Sequence, residues 1–135
     1  MKIPSWSLPF FLLLAAVPTY AKSVAEQQDA HVIEGLRDAG SDMSKPHDID
    51  FFFYFPSRQK AEAAIADLRS LGYIIVEAGV PPGQSDWHVH ASRRMVPDLE
   101  AMNASTRTLE ALEALEALGA KHDGEYDGWG TSVVE

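Results

Sequence analysis

The residues best placed to do chemistry are two histidines, His88 and His90, in the segment Asp-Trp-His-Val-His-Ala (86–91). Side chains two apart on a strand project from the same face, so two imidazoles could chelate a metal ion. His47, His122 or Asp123 could complete such a site. The pair lacks a third ligand at a fixed spacing, and the competing expectation is that both histidines cover an open sheet face beside Phe52 and Tyr54. Other chemistry is poorly represented. No serine sits in a glycine-flanked elbow, no glycine loop opens a helix to cradle phosphate, and there is no cysteine to act as nucleophile or thiolate ligand. Asn103-Ala104-Ser105 fits the glycosylation triplet but falls inside a helical pattern. The acidic residues are scattered over helix surfaces as a solvated coat. No catalytic residue and no cofactor are expected.

Charge narrows the partners. The chain of 135 residues carries a formal net charge of −9. Such a surface repels phosphate backbones, so direct nucleic-acid binding is disfavoured and a basic protein partner is the better match. Aromatics on the central strands of an open sheet can stack RNA bases. Here the sign of the charge opposes that use, and Phe52 and Tyr54 are expected to lie under an amino-terminal helix.

The elements follow from hydrophobic period and punctuation. Lys2, the apolar run Leu8 to Val17, Pro18 and the small residues Thr19 and Ala21 have the layout of a secretory signal over residues 1–21, cleaved near Ala21. The run is shorter than the roughly 20 apolar residues that a membrane span needs. The mature chain is then expected to be exported, periplasmic or secreted, with no span after cleavage. Residues 22–46 hold a helix, Val24 to Gly40, with Val24, Gln28, His31, Val32 and Leu36 on its inner face, and a linker Ser41 to His47. The domain proper spans 47–135.

Asp48 to Phe55 is apolar in both alternating sets, as in a central strand packed on each side. Ser57 to Gly72 is an amphipathic helix with Ser57 as N-cap, Gly72 as terminator, and Ala61, Ala64, Ile65, Leu68 and Leu71 inward. Tyr73 to Ala78 and Asp86 to Ala91 form a hairpin around a Pro-Pro-Gly loop. A second helix opens at Pro97 and runs to about Leu118, with Leu-Glu-Ala three times from Leu109 to Ala117. A period of three in a helix of 3.6 residues per turn turns the stripe by about −60° per repeat, carrying Leu115 and Leu118 off the sheet-facing side. Glu125 to Val134 is a last strand with a bulge or bend at Asp127-Gly128 and Gly130. After the extra amino-terminal helix the order is β-α-β-β-α-β. The fold class is α+β and ferredoxin-like: a four-stranded antiparallel sheet with two helices on one face.

Glu125-Tyr126-Asp127-Gly128-Trp129-Gly130-Thr131 is similar to the signature of the regulator of ribonuclease activity B family. Gly40-Ser41-Asp42, Ser44-Lys45-Pro46-His47 leading into Phe51 to Pro56, and Met95-Val96-Pro97-Asp98 resemble further segments of it, so the resemblance covers about Asp29 to Thr131. It implies a ferredoxin-like inhibitor that acts in the cytoplasm by protein contact with ribonuclease E. The export signal departs from the family pattern and implies instead an unrelated envelope partner. The Leu-Glu-Ala repeat looks like an expansion of the second helix. In either compartment the partner is expected to dock at the carboxyl-terminal region, on Tyr126, Asp127, Trp129, Leu115 and Leu118.

Overall fold

The computed structural model describes residues 24–114, 116–117, 120–121 and 123–135. The export signal predicted over 1–21, and Leu115 and Leu118, lie outside the described residues. The elements are α1 (Val24–Asp38), β1 (His47–Phe55), α2 (Arg58–Ser70), β2 (Ile74–Gly79), β3 (Trp87–Met95), α3 (Leu99–Ala114), the short strands β4 (Glu116–Ala117) and β5 (Ala120–Lys121), and β6 (Glu125–Gly130). Strands β2-β3-β1-β6 form one antiparallel sheet, and β4 and β5 pair in a small hairpin of their own. This is the expected α+β, ferredoxin-like arrangement. No helix among the described residues is long and apolar enough to cross a membrane.

β1 organises the core because its period of two sends Ile49, Phe51, Phe53 and Phe55 to the same side. Ile49, Phe51, Phe53 and Phe55 are at most 2% exposed and pack with Ala61, Ala64 and Leu68 of α2, Met102 and Leu109 of α3, and Val89 and Ala91 of β3. Ser57 caps α2 by accepting the Lys60 N–H at 3.3 Å. At its other end Gly72 takes a φ of 93°, and the Tyr73 N–H closes onto the Leu68 carbonyl at 3.0 Å. Leu71, expected inside, is exposed on this closing turn.

Further boundaries and faces differ from the sequence expectation. First, α1 packs against α3 on the helical side of the sheet, so Phe52 and Tyr54 are not covered by it, and Phe52 is 38% exposed. Second, the inner face of α1 is Asp29, Ile33 and Leu36, rotated from the expected stripe; Val24 is exposed. The buried Asp29 carboxylate sets that rotation through bonds described below. Third, β3 continues past Ala91 to Met95, because Ser92, Arg93, Arg94 and Met95 pair with the first half of β1, with Arg94 on the Asp48 carboxylate at 3.1 Å. Fourth, α3 opens two residues later than Pro97, with Asp98 as its N-cap (Ala101 N–H to Oδ1, 2.9 Å), and its range ends at Ala114, short of the expected Leu118, with Leu109 buried and Leu112 packed against the core. β6 likewise stops at Gly130 rather than Val134. The tail beyond it turns to the linker: Val134 accepts the Asp42 N–H, and its own N–H donates to Ser41 Oγ.

Candidate functional site

The heptad Glu125 to Thr131 builds one wall of a cleft whose other walls are α1 and α3. In a regular strand Tyr126 and Trp129, three apart, would point to opposite faces. A bulge at Asp127, next to Gly128 with φ 105°, inserts one residue against Phe52 and Phe53, so Tyr126 pairs with Phe53 and Trp129 with Phe51. Both rings therefore face the helices, and the Tyr126 ring packs on Phe53 with centroids 5.3 Å apart.

Asp29 ties the three walls together. It is 2% exposed and accepts the Trp129 indole N–H at 2.7 Å and the Thr106 hydroxyl at 3.0 Å. Burial still holds its carboxyl above the usual carboxylate range, because desolvation outweighs the two bonds. Between these elements lies a cavity of about 240 Å³ that also meets Gln28, Val32 and Glu110. Beside it, burial and then the charges of Glu110, Glu125 and Asp127 push the Glu113 carboxyl up to about 8. Neither Glu113 Oε1 nor the Tyr126 hydroxyl has a hydrogen-bond partner, though both are buried. Burial also pushes the Tyr126 phenol upward, so it stays an O–H. The cleft thus holds an unpartnered carboxyl oxygen and an unpartnered phenol at its side and the exposed Glu110 carboxylate at its mouth, a setting suited to a polar or cationic side chain.

Of the expected docking residues, the fold brings Tyr126, Asp127 and Trp129 to this cleft; Trp129 is half-buried at the edge of the core. Asp29 and Thr106 carry no sequence signal of their own: each sits in a polar stretch, and only the packing of α1 on α3 joins them. Glu113 is one of several glutamates in a helix and is distinguished only by where α3 buries it.

His88 and His90 do share the open face of the sheet, beside Phe52 and Tyr54. His90 stacks on Phe52 and bonds Asp50 Oδ1 at 2.7 Å, while His88 lies edge-on to Tyr54 and bonds Gln84 at 2.7 Å. The suggested third ligands are elsewhere. His47 points to the opposite face and is fully buried: its Nδ1–H donates to the Lys45 carbonyl (2.8 Å), leaving Nε2 to accept the Ser41 hydroxyl (2.6 Å). Asp123 is paired with Lys60, and His122 lies outside the described residues. Among the described residues no three such side chains are grouped to hold a metal ion.

Fold and cleft together describe a small acidic α+β domain with a cleft between its carboxyl-terminal strand and two helices. The family model described as Regulator of ribonuclease activity B matches residues 26–131, which takes in α1 through β6. A protein of Pseudoalteromonas atlantica (strain T6c / ATCC BAA-1087) named "Regulator of ribonuclease activity B" is 28% identical over 106 residues, covering 76% of this chain and 86% of that protein. The chain belongs to the regulator of ribonuclease activity B family.

Proposed function

We propose that this protein is a non-catalytic regulator that binds a ribonuclease of the ribonuclease E type and lowers its processing of RNA by protein contact. The family match carries this reading, because it spans every element that builds the cleft. The cleft between α1, α3 and β6 is the docking site, and a basic segment of the ribonuclease places a cation against the exposed Glu110 carboxylate at its mouth. Glu110 is exposed at the cleft, so reversing its charge removes attraction without opening the core. In a binding and RNA-cleavage assay with the purified ribonuclease, Glu110→Lys should weaken binding and inhibition at least tenfold at an unchanged melting temperature. Full inhibition by that variant would refute the docking site, and no inhibition by the wild-type chain would refute the function.

A second reading is favoured by Lys2 and the apolar run Leu8 to Val17. If the chain is exported, the same cleft serves a basic envelope protein. Affinity capture from separated cytoplasmic and envelope fractions distinguishes the two: enrichment of ribonuclease E supports the first, and an envelope protein supports the second.

A further inference from the structure

The opposite, open face of the sheet carries a second feature, independent of whether the cleft docks a ribonuclease. On β6, Gly128 and Gly130 are the register partners of Phe52 and Asp50. A Cβ built at either glycine would meet nothing within 4 Å. The two absent side chains leave a trough along β6 whose wall is the Phe52 ring. One side of that ring is stacked on His90, with centroids 4.8 Å apart and planes at 29°, while the residue is 38% exposed. The free side therefore looks over the glycines.

Carboxylates edge this trough. Asp50 faces it from β1; its Oδ1 holds His90, which leaves its second oxygen to accept. Asp127, the bulged residue, accepts the Tyr54 hydroxyl through Oδ2 at 3.2 Å and is exposed. Glu125 is exposed opposite Tyr54, and Arg94, the cation on this part of the face, is paired with Asp48. An aromatic wall, an empty glycine floor and flanking carboxylates are complementary to one kind of side chain. A guanidinium is planar, stacks on aromatic faces and forks onto carboxylates, whereas an ammonium is a compact, strongly hydrated point charge. A nucleic-acid strand could stack a base on Phe52, but its phosphates would meet the same carboxylates.

We propose that the Phe52–Gly128–Gly130 trough is a binding site for an arginine side chain of a protein partner, which stacks on Phe52 and donates to Asp50 and Asp127. The probe is a nine-residue Gly/Ser peptide with a central Arg-Gly-Arg, titrated into the isotope-labelled full chain and followed by amide chemical shifts. The same peptide with lysine or citrulline at both positions serves as comparison. The largest shifts should fall on Asp50, Phe52, Gly128 and Gly130, with the lysine peptide about fivefold weaker and the citrulline peptide silent. Gly130 has an ordinary backbone and open space above it, so Gly130→Val should melt no lower than wild type yet bind the arginine peptide about tenfold more weakly. Phe52→Leu should abolish the preference for arginine over lysine. Glu110→Lys, on the other side of the sheet, should leave this binding intact even if it abolishes ribonuclease docking. The proposal is overturned if Gly130→Val binds as well as wild type, if lysine equals arginine, if the shifts centre elsewhere, or if a single-stranded RNA oligonucleotide moves these amides more tightly than the peptide.

Discussion

Replacing Trp129 by Phe keeps an aromatic ring at the edge of the core but deletes the indole N–H that Asp29 accepts at 2.7 Å. Asp29 is 2% exposed, so water cannot readily replace the donor, and the carboxylate is left with Thr106 alone. A hydrogen bond to a buried charged group contributes about 1.5–3 kcal/mol. For a domain of this size each kcal/mol moves the melting temperature by roughly 4 °C, so a fall of about 6–12 °C is expected at pH 7. The pH dependence supplies a second check. Asp29 has a folded pKa raised above its ordinary 3.8, so the folded state binds the proton more tightly, and stability falls as pH rises through that raised value. Losing a donor raises the folded pKa further. The penalty of Trp129→Phe should therefore be largest near neutrality and shrink as pH falls through these raised values, being smallest in acid where the folded carboxyl is protonated in wild type and variant alike. Circular-dichroism melts at pH 7 and pH 3.5 measure both effects. A melting temperature within 2 °C of wild type at pH 7 would show that Asp29 does not tie α1 to β6, leaving Trp129 free to act purely as a docking anchor.

Phe53→Ala removes a side chain that is 1% exposed on the central strand, which should cost about 3–5 kcal/mol and leave the domain largely unfolded at 37 °C in a urea titration, with no disulfide to offset the loss. Glu113 has a folded pKa of about 8 against an ordinary 4.5, so its contribution to stability declines as pH rises from 4.5 to 8; Glu113→Gln should melt higher than wild type at pH 8 and flatten the pH profile between those values, and an unchanged profile would refute the buried assignment. Intact mass of the protein from its native host should correspond to a chain beginning near Lys22 if residues 1–21 are a cleaved signal, and a mass that retains them restores the cytoplasmic reading.

The sheet was legible because β1 writes its period of two in phenylalanines, and α2 because Ser57, Gly72 and the Ala61-Ala64-Leu68 stripe agree on one helix. The bulge in the heptad was legible from Asp127-Gly128. What failed depended on contacts distant in sequence. Helical spacing through Val24, Gln28, His31, Val32 and Leu36 points to one face of α1, but a buried carboxylate bonded 77 and 100 residues away decides it. A preference for apolar contact put α1 over Phe52 and Tyr54, whereas those rings are accommodated by His90 and His88 on the neighbouring strand. The cleft was half legible: Tyr126, Asp127 and Trp129 came from the heptad, but their partners on α1 and α3 are ordinary polar residues until the helices pack.

The bulge at Asp127 also lets β6 keep two rings three residues apart on one face. If the bulge were lost at unchanged length, regular alternation would return, and Tyr126 and Trp129 could no longer both point at the helices. One of the two rings would be turned out to solvent, and with it either the packing on Phe53 or the bond to Asp29. Most single substitutions in this strand remove one contact, but one that irons out the bulge reassigns the faces of the segment. Deleting Asp127, by contrast, leaves the rings two apart and on the same side. Gly128, whose φ of 105° accompanies the bulge, should therefore resist replacement by a β-branched residue, while the short β4–β5 hairpin just before it imposes no such register on the sheet.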